Sequence, residues 1–351
     1  MTDVIIIGGG PVGLATASMA AQKGLTVKLF EPKTGVIDKA CGEGLMPAAV
    51  QKLNEYGINI PTSHVFKGIR YINGKSSADG HFLCGHGMGV RRLVLHNTLR
   101  EHAVKAGVEF IQQKAKDIHQ FDDHVEVDGH SAKYVLAADG LNSPTRSRLN
   151  VELPSQRPSR LGVRQHFNMA PWSDYVEVYW SEHAEAYVTP VAEDLVGVAI
   201  LYYKDKLPKP KNQNRFDSLL TLFPALKTRL EGQSQASSPR GAGPFERRAS
   251  KHVINRCMLI GDAAGYLDPL TGEGIRLGLD AGEAAINCIL NDQPHAYERA
   301  WRNVSRRYWW MTDGLLRARR IPIIRRLMVP FLQKLPWVFD RIITLLAKPA
   351  H

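Results

Sequence analysis

Cysteine is scarce in this chain. Cys41, Cys84, Cys257 and Cys288 fall in no CxxC pair and no metal-ligand spacing, so a disulfide framework or zinc site has no support and no metal is expected. No basic stretch precedes the first apolar strand and no A-x-A pattern follows it, so no secretory signal is expected and the cytoplasm is the expected compartment. Internal repeats and low-complexity tracts are missing as well. Acidic residues run short at the C-terminus: from Arg299 onward twelve lysines and arginines face only Asp313 and Asp340. The chain as a whole carries +11, so its body is close to neutral and the basic character belongs to one segment. No nucleic-acid partner is expected. With 44% hydrophobic and 23% charged residues over 351 positions, the composition is that of a soluble globular protein of one or two domains.

What is present begins at the N-terminus. "DVIIIGGGPVGLATASMAAQKGLTVKLFE" reads as a buried strand from Val4 to Ile7, a glycine turn, a helix to about Lys23 and a second strand ending at Glu31. Gly8, Gly10 and Gly13 make G-x-G-x-x-G between strand and helix. In that setting the glycines let backbone N–H groups approach a pyrophosphate at the positive helix end, and Glu31 is placed to accept the hydrogen bonds of a ribose. These glycines do not separate FAD from NAD. "RLVLHNTLREHAVKA" reads as an amphipathic helix from Arg92 to Ala106. Between Arg160 and Tyr203 the runs "YVEVYW" and "VGVAILYY" predict an antiparallel sheet, a change of architecture, and "RFDSLLTLFPALKTRL" predicts a helix. At "CMLIGDAAG" a buried strand again runs into a glycine turn and a helix.

Two further glycine-acid motifs follow the first. "VLAADGLNSPTR" puts Asp139 and Gly140 at a strand end, with Ser143 and Arg146 after them. "LIGDAAGYLDPLTGEGIRLGLDAG" puts Asp262 at a strand end, then Pro269, Gly272, Glu273 and Gly274 at the start of a helix. In this order and spacing the three motifs resemble the FAD-dependent oxidoreductases of the p-hydroxybenzoate hydroxylase type, which include aromatic hydroxylases, flavin halogenases and geranylgeranyl reductases. The resemblance covers about residues 1 to 290. It implies an α/β protein with a discontinuous Rossmann-type FAD-binding domain (1–75, 90–155 and 240–295), an antiparallel β-sheet substrate domain (76–89 and 156–239) and a C-terminal helical segment (296–351). It also implies that Asp262 binds the flavin ribityl chain and that Gly272, Gly274 and Ile275 lie along the isoalloxazine ring at a helix N-terminus. Asp139 would serve both FAD and a nicotinamide cofactor, and Arg92, with Arg91 as the neighbouring alternative, would contact FAD.

In such proteins the chain after the ribose-binding acid loops back across the cofactor, so "CGEGLMP" within Asp38 to Pro47 is expected beside the flavin. Cys41 and Gly42 in that loop resemble the geranylgeranyl reductase branch. Cys41 then either faces the substrate or packs as a small buried hydrophobe, and Glu43 either bonds loop backbone or acts as a base. Geranylgeranyl reductases carry Y-x-W-x-F-P, and halogenases W-x-W-x-I-P, ahead of a hairpin. Here "EAYVTP" keeps only Tyr187 and Pro190. Arg164, His166 and Tyr187 stand on strands able to line a pocket, which makes Cys41, Tyr187 and His166 the candidate catalytic residues.

The implied activity is NAD(P)H-dependent monooxygenation of a hydrophobic aromatic or lipid-like compound, in which reduced FAD and oxygen form a C4a-hydroperoxide. The alternatives are reduction of a prenyl double bond, with hydride from flavin N5, and a flavin redox sensor without turnover. After Trp301, arginines alternate with large apolar residues, and Pro322, Pro330 and Pro336 interrupt any membrane span. Short basic amphipathic helices suit peripheral attachment to the inner face of an anionic membrane. Packing of these helices on the substrate domain, or an acidic carrier protein as partner, are the other readings.

Overall fold

The computed structural model describes residues 1–207 and 214–347. Lys348, one of the twelve basic tail residues, and positions 208–213 of the substrate segment lie outside the described residues.

The apolar run at Thr2–Ile7 forms the central strand of a sheet ordered Val253–Ile254, Cys257–Leu259, His130–Ala137, Thr2–Ile7, Val27–Phe30, Glu109–Ile111. Strand Thr2–Ile7 runs parallel to both neighbours, with Val4 opposite Tyr134 on one side and Val27 on the other. Both of its faces are covered, as a continuous rather than alternating apolar pattern requires. Helix Pro11–Gln22 starts with proline at its first position and lies buried along most of its length.

The second sheet is larger than the sequence suggests. Its order is Ser234–Gln235, Arg160–Asn168, Leu195–Tyr203, Ala184–Ala192, Tyr175–Trp180, Gly68–Asn73, Ser76–His81, with Arg240–Ala242 also on Arg160–Asn168. Gly68–Asn73 and Arg240–Ala242, expected within the cofactor domain, therefore belong here. Tyr175–Trp180 runs parallel to Gly68–Asn73, so this expected antiparallel sheet contains one parallel pair, because the added hairpin comes from a distant part of the chain.

Two expected elements differ in detail. "RFDSLLTLFPALKTRL" is two helices, Arg215–Leu220 and Pro224–Leu230, because Pro224 starts a new helix. After strand Cys257–Leu259 the chain makes a single 3-10 turn at Gly261–Ala263, and the long helix begins only at Gly274. The tail forms helices Tyr297–Arg320, Pro322–Lys334 and Pro336–Ala347, two of them opened by a proline at the first position. These helices pack on the body. Tyr297, Trp301 and Tyr308 are buried, and Arg319 forms ion and hydrogen-bond contacts with Glu185 and Ser181 of the substrate sheet. Among the described residues no helix is long and apolar enough to cross a membrane.

Candidate active site

A cavity of about 970 Å³ lies between the two sheets. On its first side the glycine turn is forced into shape by sterics. Gly8 has φ +109°, and a Cβ on Gly13 would stand 1.9 Å from the Gly8 carbonyl oxygen. Gly8 and Gly10 line the cavity, whereas Gly13 lies behind them and permits the close approach of helix to strand. Glu31 is held by backbone: Gly9 N–H donates to its Oε2 at 2.9 Å and Lys33 N–H to its Oε1 at 3.0 Å. His96, on helix Arg92–Lys105, braces the same turn. Its Nδ1 accepts from Ile37 N–H, so Nε2 carries the proton and donates to Gly9 C=O at 2.8 Å.

Asp262, in the 3-10 turn, and Gly272, Gly274 and Ile275, at the start of helix Gly274–Leu290, line the cavity. The Asp262 carboxylate takes no hydrogen bond from any described residue, and burial pushes its pKa up to about 6 against the pull of Arg92, Lys39 and Arg146. Asp139 also lines the cavity, but both of its oxygens are engaged. Ser143 O–H donates to one and Thr145 N–H to the other at 2.9 Å, so it organises the turn ahead of helix Pro144–Arg148. Arg146, fully buried, reaches the Ala263 carbonyl at 3.2 Å and Leu141 C=O at 3.0 Å, tying the second motif to the third.

Two cations face this space. Arg92 is buried with no hydrogen-bonded partner for its Nε, and the Lys39 ammonium makes no hydrogen bond or ion pair with a described residue, although the Lys39 carbonyl accepts from Arg164. Burial lowers the pKa of both, and for Lys39 the nearby Arg92 adds to the effect. A cavity holding two poorly compensated cations, the Glu31 carboxylate fixed beside the glycine turn and a second carboxylate without a donor fits a dinucleotide carrying a pyrophosphate and a polyol chain. Lys39 escaped the sequence reading, although it precedes the loop motif by two residues.

The loop Asp38–Gly44 crosses the cavity as expected, with Cys41 and Gly42 in its lining. Glu43 sits in the left-handed region at φ +60°. Its side chain overdetermines that conformation: Arg92 N–H donates to Oε1 at 2.8 Å and His166 Nε2 lies 2.5 Å from Oε2. Glu43 thus bonds backbone and buried imidazole. From behind, Arg164 donates to Asp38 at 2.6 Å, and Thr189 O–H donates to Gly42 C=O at 2.8 Å. Cys41 Sγ accepts from Glu43 N–H at 3.4 Å, and burial raises the thiol's pKa.

His166 does not reach the cavity, which corrects its expected catalytic role. Arg164 donates to its Nδ1 at 3.1 Å, so Nε2 bears the proton given to Glu43, and burial holds the ring neutral by lowering its pKa. It is a positioning residue for the loop. Tyr187 does line the cavity, and its hydroxyl donates to Leu270 C=O at 3.3 Å. The remaining wall is apolar and largely unanticipated, with Phe66, Ile69, Val176, Val178, Leu201 and Phe245 brought together from four separate stretches of chain.

The fold and this site define a flavin-type dinucleotide-binding protein. Residues 1–285 match the family model described as FAD binding domain, and the chain belongs to that family. Menaquinone reductase of Mycobacterium tuberculosis is 28% identical over 311 residues, covering 82% of this chain and 76% of that protein. Digeranylgeranylglycerophospholipid reductase of Methanosarcina acetivorans is 28% identical over 344 residues, covering 86% and 81%. A crystal structure of a flavoprotein/dehydrogenase from Cytophaga hutchinsonii superposes with TM-score 0.86 at 19% identity, covering 98% of this chain and 92% of the other. Relatives include a monooxygenase as well as reductases, so the family and its FAD-dependent oxidoreductase chemistry are shared while the reaction varies.

Proposed function

We propose that the protein reduces a carbon–carbon double bond in a prenyl-type hydrophobic compound, using NADH or NADPH as the electron source. Bound FAD supplies the two-electron chemistry, and the overall balance is alkene, NAD(P)H and one proton giving the saturated bond and NAD(P)⁺. The observation that carries the reading is a cysteine in the lining of a cavity whose remaining wall is apolar. Cys41 lines the cavity with its pKa raised by burial, so Sγ keeps its proton at neutral pH and would be the group that gives a proton to carbon. Phe66, Ile69, Val176 and Val178 offer the apolar surface that a hydrocarbon chain needs and exclude water from it. Glu43, His166 and Arg164 hold the loop that carries the thiol. The two reductase relatives matched over more than four fifths of this chain support the same reading.

Monooxygenation is the second reading, favoured by the departure of "EAYVTP" from the prenyl reductase pattern at all but Tyr187 and Pro190. The test is to incubate the purified flavoprotein with NADPH and menaquinone or digeranylgeranylglycerophospholipid, with and without air, and to weigh the products. Gain of two hydrogens without air supports reduction. Gain of one oxygen, only in air, supports monooxygenation. Reduction of the flavin with no product from any substrate supports a redox sensor.

A further inference from the structure

The tail helices turn two different faces in two directions. Inward, Val329, Leu332, Phe339 and Ile343 are buried. Phe339 and Ile343 lie where a Cβ on Gly80 would stand, at 2.9 and 3.0 Å, and the Phe339 ring lies 4.7 Å from that of Tyr71, a residue of the cavity wall. Polar groups on this side are also satisfied. His81 N–H donates to Asp340 at 2.7 Å, Leu83 N–H donates to Thr344 Oγ1 at 3.0 Å, and Arg325 pairs with Glu182 at 3.3 Å. The helices are therefore docked on the edge hairpin of the substrate sheet, and their outer face is not the product of loose packing.

That outer face is apolar to an unusual degree. Of the seventeen large hydrophobic residues exposed among the described residues, eight fall between Ile321 and Leu345. Ile323, Leu327 and Phe331 follow each other at intervals of four on helix Pro322–Lys334, with exposures of 64%, 57% and 52%, and Trp337 on the next helix is 58% exposed. Exposed cations are interleaved with them: Arg320, Arg326, Lys334 and Arg341. The nearest tail acid, Asp340, is already committed to the body.

We propose that this face docks on an anionic lipid surface, with Ile323, Leu327, Phe331 and Trp337 entering the headgroup boundary and the surrounding cations meeting lipid phosphates. Charge selects this occupant. A second copy of the chain would bring like-charged faces together, whereas an anionic bilayer supplies both an apolar layer and opposite charge. The docked orientation sets the edge hairpin, and behind it the apolar end of the cavity at Ile69 and Tyr71, toward the lipid. The proposal does not depend on which reaction the cavity performs.

The test is flotation of the full chain with phosphatidylcholine vesicles and with vesicles containing phosphatidylglycerol. The wild-type protein is expected to float with the second and not the first, and to be released by high salt. The triple variant Ile323→Glu, Leu327→Glu, Phe331→Glu changes only exposed positions. It is expected to lower the vesicle-bound fraction about tenfold or more while flavin absorbance and melting temperature stay unchanged. Flotation of the variant equal to that of wild type overturns the proposal, as does equal binding to both vesicle types. Dimerisation of the wild type in sedimentation, abolished in the variant and without flotation, assigns the face to a second copy and also overturns it. Retention by an acidic carrier protein in place of vesicles does the same.

Discussion

On the cofactor side of the cavity, Gly8, Gly13 and Glu31 lie within one βαβ unit and act mainly through backbone geometry. Outside the cavity lining, between the substrate sheet and the first tail helix, Arg160, Glu185, Asp268 and Arg319 are drawn from four distant stretches and act only through their side chains. Arg160 is 3.0 Å from Glu185 and 2.9 Å from Asp268, and all four residues are at most 5% exposed. The first region is rigid because a few backbone torsions and close approaches permit nothing else. The second is held by balanced buried charge, two cations against two carboxylates, which works only when every member is present. The contrast shows why a motif search finds the glycine turn and passes over the buried charge cluster that holds sheet and tail together.

The comparison breaks most severely at Gly13. Gly13→Val places carbon against the Gly8 carbonyl oxygen, where a Cβ alone would already be at 1.9 Å, and neither backbone can yield. The expected outcome is loss of flavin-containing soluble protein, read from the ratio of flavin to protein absorbance. Retention of a full flavin complement in Gly13→Val would show the turn to be less constrained than its geometry indicates.

In the buried charge cluster, Arg319→Ala leaves the fully buried Glu185 and the nearby Asp268 with Arg160 as their one cation. Breaking a buried pair in this way is expected to cost about 3 kcal/mol in denaturant unfolding. Flavin should remain bound under permissive conditions, since the cofactor side is untouched. Loss of flavin at unchanged stability would mean that the two regions are not separable. Deleting the whole tail would be a poor probe of its outer face, because it removes Arg319 and uncovers Glu185 as well.

Cys41→Ser sharpens the comparison at the loop that crosses the cavity. A serine hydroxyl can still accept from Glu43 N–H, so melting temperature should change little. If the thiol donates the proton, substrate-dependent turnover should fall about a hundredfold at unchanged flavin content, the usual scale for a positioned acid. Unchanged turnover with a lower melting temperature would return Cys41 to a packing role.

The smallest effect is expected at Asp262, and it depends on pH. Its folded-state pKa is raised to about 6 by burial, so in the flavin-free protein it holds its proton more tightly than the unfolded chain does. Stability of the flavin-free fold should therefore rise as pH falls from about 6 toward the ordinary carboxylate range near 4. Hydroxyl donors of a ribityl chain favour the ionised form, so FAD affinity should run the other way and weaken as pH falls through about 6. Asp262→Asn should bind FAD about tenfold more weakly at pH 8, by the scale of one hydrogen bond to a charged group, and lose this pH dependence. Titration of flavin fluorescence from pH 5 to 8 checks both.

Much of the cofactor side was legible before any coordinates. Of the residues expected to bind the cofactor, only Gly13 does not line the cavity, and its tight packing behind the turn is what the motif requires. Asp139 lines it too, but its carboxylate is occupied by Ser143 and Thr145, and spacing alone cannot distinguish a ligand from a turn cap. Lys39 and His96 were passed over because a lone lysine in a loop and a histidine in a helix carry no pattern. His166 was misplaced for a related reason: alternation along a strand says which residues share a face, but not which object covers that face. Here the cover is Glu43, brought from 123 positions earlier.

The sequence by itself determined the glycine turn, the acid that closes the second strand, the loop along the cavity and the basic, apolar character of the tail. Each of these follows from backbone torsions, helix and strand periodicity or local charge, which neighbouring residues control. Only the tertiary structure decided that Glu43 bonds Arg92 backbone and His166, that the hairpin at Gly68–His81 joins the second sheet, and that Phe339 fills the space left by Gly80 while Phe331 and Trp337 stay outside. Those outcomes depend on which surfaces meet across long chain separations. Burial and charge balance settle such meetings, and neither is a property of any one segment.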